Sequence, residues 1–377
     1  MLKNKDKGIT LIALVITIII LLILAGISIS ALTNQGLFKN AKAAQNSTEK
    51  AEKEQGQRLN EYEDEINKYL GNNKEPFKGT TVEEAIKYND VLNTENNTEL
   101  KDAKNNKIVV PAGFKIVEGA TTVDKGIVIE DVTETATKGS QFVWIPVGTI
   151  IKSDGTNVTI TLGRYDFNST TGVESAYSGT YVEEDSNDSS TLKKYGNTIA
   201  KNITKFKNSV ATNGGYYIGR YEARTATARN AAGNALTQIT EKGTENVYNY
   251  VTQLQAAQLS QNMYTSDKFT SDLINSYAWD TATVFIQNCG TNSKYSRQNS
   301  LNKALAQTGT TEDIQCNIYD MASNILEWTT ETYLDSSYPC VGRGGFYNNS
   351  VFHTCYRSYG NTSNSNDNLG FRPLLYL

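Results

Sequence analysis

Four cysteines and one histidine bound the chemistry open to this chain. The cysteines are Cys289, Cys316, Cys340 and Cys355, and the histidine is His353. A metal centre built on several histidines is excluded, and so is a mechanism that needs two imidazoles. No two cysteines form a Cys-x-x-Cys pair, so a four-cysteine zinc site lacks its spacing. Outside the cell the four could pair as two disulfides, in any of three connectivities; the alternative is free buried thiols packing as small apolar groups. Charged residues are 20% of the chain and the net charge is -4. No basic stripe marks a nucleic-acid partner. Aromatic and amide side chains crowd together in Phe346-Tyr347-Asn348-Asn349-Ser350-Val351-Phe352-His353 and again over Tyr356 to Asn368. Such side chains suit an adaptable contact surface, and they equally suit a solvated polar loop.

These residues must be carried on something, and the chain begins with a run that points to a membrane. Lys3, Lys5 and Lys7 precede the apolar stretch 9–29, and no charge falls between Lys7 and Lys39. As a helix that stretch would span about 32 Å, enough to cross a bilayer. The lysines place everything after Ile29 outside. A plain anchor fits, and so does a cleaved signal ending near Ser28, Ser30 and Ala31. The run Lys7-Gly8-Ile9-Thr10-Leu11-Ile12 resembles the start of type IV prepilins. That resemblance implies cleavage by a prepilin peptidase between Gly8 and Ile9, methylation of the new amine, and a retained membrane helix. It implies other pilin-like subunits as partners. Ala13 stands where those proteins usually have Glu, which fits a minor or merely anchored pilin-like protein better than a major one. The expected organisation is a leader 1–8, a transmembrane helix 9–32 and a helical stalk 33–70. The stalk shows a stripe of Leu59, Tyr62, Ile66 and Leu70, and Gly71-Asn72-Asn73 with Pro76 ends it. Residues 71–106 read as a polar connector.

From Lys107 the patterns predict a loop-rich α+β domain over 107–377. Ile108-Val109-Val110, Ile127-Val128-Ile129 and Phe142 to Val147 read as strands, with Pro146 at a strand end or edge. Residues 164–200 read as a long polar loop. Gly214 to Glu222 reads as a turn and strand, and 247–259 and 276–287 read as helices.

Three blocks near the end are specific in combination: Asn317-Ile318-Tyr319-Asp320-Met321-Ala322-Ser323-Asn324-Ile325-Leu326-Glu327-Trp328-Thr329, then Gly342-Arg343-Gly344-Gly345-Phe346-Tyr347, then Asn368-Leu369-Gly370-Phe371-Arg372. In that order they resemble the formylglycine-generating enzymes, or sulfatase-modifying factors, whose fold is a variant of the C-type lectin fold. The resemblance implies a pair of copper-binding cysteines after the Gly-Gly block. The corresponding positions are Asn349 and Thr354, and soft Cu(I) wants thiolates. Cys355 lies one place off and supplies one ligand, not two, so copper and the oxidase reaction are not expected. A multi-histidine iron site cannot be built from His353 alone. The resemblance also implies calcium, through the Asp320 and Glu327 side chains and the Ser323 and Ile325 carbonyls. The alternative is that Asp320 caps a turn and Glu327 forms an ion pair. Arg372 reads as a core-facing structural arginine.

The function expected is a membrane-anchored surface protein displaying a non-catalytic lectin-like domain to an extracellular ligand. Its candidate contacts are Phe346, Tyr347, Asn349, Phe352, His353 and Tyr356. A disulfide between Cys340 and Cys355 would close a loop of about 15 residues, worth about 3 kcal/mol, and hold 344–352 in shape. The competing readings are an enzyme of altered chemistry on the same scaffold, and a surface protein whose Asn-rich end is diversified, which it resembles in composition.

Overall fold

Strands form where β-branched and aromatic side chains alternate or run together, and turns form where Gly, Asn and Asp intervene. The computed structural model describes residues 15–25, 47–48, 50–51, 53–56, 58–59, 62, 75–133, 135–185 and 202–377. The chain divides into two units, Met1–Glu75 and Pro76–Leu377.

In the first unit, residues 15–25 are helical and their apolar side chains are exposed, Leu22 most of all at 68%. Among the described residues no helix is long and apolar enough to cross a membrane. The rest of the expected span, 9–14 and 26–32, lies outside the described residues, as do Gly8, Ile9 and most of the stalk 33–70. Lys50 and Glu54 form an exposed i,i+4 ion pair on one stretch that is described.

The second unit starts earlier than the composition suggests. Residues expected as a connector include helix α1 (Val82–Tyr88), fixed by a capping box between Thr81 and Glu84. They also include the strand Thr98–Lys101, which pairs with Lys107–Val110. The helices that follow are α2 (Ile203–Asn213), α3 (Gln253–Gln261) and α4 (Ser276–Cys289). Thr252 and Gln255 form a second capping box, which starts α3 six residues after the apolar pattern begins at Val247.

The main strands are β1 (Phe114–Ile116), β2 (Val128–Asp131), β3 (Gln141–Pro146), β4 (Gly215–Gly219), β5 (Thr270–Leu273), β6 (Leu326–Thr332), β7 (Cys340–Arg343), β8 (Arg357–Gly360), β9 (Leu369–Phe371) and β10 (Pro373–Tyr376). One sheet of six strands has the order β5-β10-β4-β3-β2-β1. Every residue of β4 is buried, and Tyr217 pairs across to Trp144 on β3, with their rings 4.9 Å apart. Pro146 ends β3, as expected, opposite Gly215. The second sheet has the order β8-β7-β6-β9, with β9 parallel to β6. All seven residues of β6 are buried, charged ones included. The loop expected over 164–200 contains a short hairpin, Tyr165–Phe167 with Glu174–Ala176; residues 186–201 are outside the described set. The architecture is mixed α/β, mostly sheet with few helices, and rich in loops.

Candidate ligand-binding site

The second sheet is held by buried charges. Asp280 on α4 takes Arg343 at 2.5 Å and Arg357 at 2.6 Å. Glu331 on β6 takes Arg357 at 3.0 Å, Arg343 at 3.4 Å, and Arg164. Burial alone would raise the Glu331 carboxyl; Arg357, Arg343 and Arg164 overcome it and hold the group at about 2. The arginine of the Arg-Gly-Gly block is therefore a structural cation.

The two glycines after it are needed for approach. A Cβ on Gly345 would stand 2.1 Å from the Ala322 carbonyl oxygen, and one on Gly344, at φ +88°, 2.6 Å from that of Met321. The second block thus lies directly on the backbone of the first. The third block is joined to both by Arg372. Its guanidinium donates to Glu327 at 2.6 and 3.0 Å and to the carbonyls of Gly219 and Tyr319 at 2.9 and 2.7 Å. Glu222, at the end of the Tyr-Ile-Gly-Arg-Tyr-Glu segment, accepts from the Asn324 amide at 2.6 Å and from the Ile325 N–H at 3.1 Å. Burial, then Asp320 and Glu327, push Glu222 well above the usual carboxylate range.

Two of the positions expected to hold calcium carry side chains with bonds of their own. Both Glu327 oxygens are spent on Arg372. One oxygen of Asp320 takes the Thr311 hydroxyl and the other is buried without a partner. Among the described residues no group of three or more His, Cys, Asp or Glu is placed to hold a metal ion. Glu327 is the ion-pair partner that the alternative reading assigned to it, and Arg372 faces the core.

Cys355, the thiol nearest the Gly-Gly block, is not set up as a thiolate. All four cysteines are free, so Cys340 and Cys355 are not bridged. Cys340 sits at the start of β7 opposite Gly360, whereas Cys355 turns to His353, 3.3 Å from Nδ1, and to Arg297 at 3.8 Å. Burial pushes the Cys355 thiol up. Burial, then Arg297 and Arg343, push His353 down to about 4. Both shifts oppose a thiolate–imidazolium pair, the form that activates a cysteine. At the two positions where the resemblance implies copper cysteines, Asn349 caps a turn by accepting the Val351 and Phe352 N–H groups at 2.8 Å each, and buried Thr354 donates to the Tyr295 carbonyl at 2.7 Å.

What remains is a small hollow of about 190 Å³ on the second sheet. Trp328, Phe346 and Phe352 give it an aromatic wall; Ser358, Tyr359, Asn364, Asn366 and Asn368 give it a polar one. Trp328 is fixed by its indole N–H to the Val251 carbonyl at 2.8 Å. A Cβ on Gly360 would meet the Asn364 amide at 2.6 Å, so the glycine lets that amide close over the strand. Tyr347 donates to Asp367 at 2.5 Å and ties the 346–348 turn to the loop carrying the asparagines; this bond pushes its hydroxyl up to about 12.

Of the residues singled out in the sequence, Phe346 and Phe352 line the hollow, Tyr347 braces it, and Tyr356 stacks behind Phe352 at 4.0 Å. Asn349 and His353 are used internally. Tyr359 and the three asparagines were read only as part of the run Tyr356 to Asn368, and Trp328 only as part of the first block. Their signal was the recurrence Asn364-x-Asn366-x-Asn368, which sets three amides in one short loop. A larger cavity of about 750 Å³ lies elsewhere, between residues 94–137 and 263–269. Its buried carboxylate, Asp131, is saturated by Thr133, Thr137 and Tyr264.

Three solved structures are similar in part. Treponema denticola variable protein 1 is 12% identical, with a TM-score of 0.36 over 64% of this chain and 98% of that one. PvdO from Pseudomonas aeruginosa is 11% identical, with a TM-score of 0.34 over 63% and 95%. The crystal structure of CarF is 13% identical, with a TM-score of 0.29 over 43% and 86%. No curated protein matches the sequence. Residues 254–375, which contain α4, the second sheet and the hollow, match the family described as a Sulfatase-modifying factor enzyme 1-like domain.

Proposed function

We propose that this chain is a binding protein, with its contact site in the hollow between Trp328, Phe346 and the 364–368 loop. One observation carries the reading. Where the resemblance implies paired thiolates the chain has an amide and a hydroxyl, both locked into structural bonds, and the one nearby thiol is held neutral. The scaffold keeps its packing and loses its reaction chemistry.

The presentation of that site is pilin-like. The lysines ahead of the apolar run, the Gly8-Ile9 junction and the exposed apolar faces of residues 15–25 support a single membrane helix, with the C-terminal domain outside the cell. A prepilin peptidase and other pilin-like subunits are its expected partners.

Two measurements test this. The full-length protein, given copper, oxygen and a peptide carrying Cys-x-Pro-x-Arg, should leave the substrate thiol intact by mass spectrometry. Conversion to formylglycine, abolished by Cys355→Ser, would overturn the binding role. Intact mass of membrane-extracted protein should place the first residue at Ile9 with a methylated amine; a chain starting at Met1 or near Ala31 removes the pilin-like part.

A further inference from the structure

We infer that the hollow and the tyrosine row beside it bind a neutral glycan without calcium; the inference rests on reading the domain as a binding module. No lining residue of the hollow carries a charge. A site for an acidic or basic ligand would be expected to present an opposite charge, and a buried charge left unmatched is costly.

The polar groups that remain are of one kind. None of the hydrogen bonds among the described residues uses the side-chain amides of Asn364, Asn366 or Asn368. Their neighbours behave differently. Asn361 accepts from Ser363 at 2.8 and 3.0 Å, Asn349 closes its own turn, and Asn302 donates to the Ala304 carbonyl at 2.8 Å. Three asparagines in one loop are thus left with donors and an acceptor each, converging on one hollow. An amide offers both roles at once, which matches adjacent hydroxyls that also donate and accept. The opposite wall is aromatic and suits the C–H face of a sugar ring. The charge at the rim, Asp367, is held by the Tyr347 hydroxyl.

The surface continues past the hollow as a row of tyrosines. Tyr359 stacks on Tyr333 at 5.0 Å, Tyr333 lies 4.8 Å from Tyr181, and Tyr338 meets Tyr359 edge-on at 5.9 Å. Tyr359 is 54% exposed and Tyr338 46%. Exposed rings stacked on one another hold a fixed platform at little entropic cost on binding. The hollow would take one sugar ring and the platform its neighbours in a chain. An uncharged peptide is the competing occupant. The polar wall is less suited to it, because the free groups gather around one hollow and do not run as a ladder along a strand.

The test presents the full-length protein in detergent to immobilised neutral hexose and N-acetylhexosamine oligosaccharides, to their sialylated forms, and to a display library of uncharged peptides. All arms contain chelator. Neutral oligosaccharides should bind. Asn366→Ala and Asn368→Ala should each weaken them about tenfold, with thermal melts unchanged. Tyr338→Ala should weaken oligosaccharides and leave a monosaccharide inhibitor as effective as before. Preference for sialylated chains, indifference to both asparagine variants, or a need for calcium would overturn the inference. Peptides captured in place of glycans, and lost in the same variants, would overturn it and leave the binding module standing. Silence in every arm would overturn both.

Discussion

Replacing Glu331 by glutamine removes one of the two carboxylates that hold buried Arg343 and the largely buried Arg164 and Arg357. Arg164, Arg343 and Arg357 would then share Asp280 alone, which bonds only the last two. A carboxyl held at about 2 instead of 4.5 contributes roughly 3 kcal/mol at neutral pH, since each tenfold change in the proton equilibrium is about 1.4 kcal/mol. Breaking a buried pair from one side costs about 3–5 kcal/mol by a separate route, so the two estimates agree. The pH dependence fixes the sign. The folded-state value is depressed, so the contribution is complete above the unfolded value of 4.5 and fades as pH falls towards about 2. Urea unfolding of the wild type and Glu331→Gln at pH 7 should differ by roughly 3 kcal/mol. The gap should narrow steadily below pH 4.5 and be nearly closed near pH 2. A gap under about 0.5 kcal/mol at pH 7, the range of an ordinary surface substitution, would refute the network's role. A gap that does not change with acid would refute the assigned charge.

Arg372→Met leaves Glu327 buried and unpaired and strips the Gly219 and Tyr319 carbonyls of a donor; a loss of about 3–5 kcal/mol is expected in denaturant unfolding. Thermal melts with calcium and with chelator should coincide, because Glu327 is already committed to Arg372; a saturable rise, about 2.7 kcal/mol at 100 times the dissociation constant, that Asp320→Asn removes would show that the cluster rearranges around the ion. Gly345→Ala drives a methyl into the Ala322 carbonyl and should separate the two blocks, lowering the melting temperature without changing the N-terminal mass.

How much of this was legible in the sequence depended on whether a residue's role is set locally. Strand β3 was readable because Phe142 to Pro146 is an apolar run closed by proline. Helix α4 was readable from Ala278, Ala282, Phe285 and Ile286. Its acid was not: Asp280 looks like the polar face of an amphipathic helix, yet twelve of the helix's residues are buried, this one included, and its partners lie 63 and 77 residues away. Residues 77–106 looked like a connector because their polarity hides a seven-residue helix whose start depends on one capping box. Glu327, expected as a calcium ligand beside Asp320, bonds an arginine 45 residues on, a partner that local sequence does not show. The loop asparagines show the same limit. Asn349 and Asn366 are indistinguishable by type; one is consumed by its own turn and the other is left open, and only the backbone path decides which.

The three sequence blocks touch one another in the fold. Glu327 meets Arg372 and Ala322 meets Gly345, and outside the blocks Asn324 meets Glu222. Each contact is buried, and each would be costly to alter alone because its partner would be left charged, crowded or unbonded. That is sufficient reason for the blocks to stay together whether or not a reaction is carried out beside them. Around the hollow, the side-chain amides that make no internal hydrogen bond among the described residues are those of Asn364, Asn366 and Asn368. A motif of this kind therefore reports the packing, and the proposed ligand site is read from the loop between its second and third blocks.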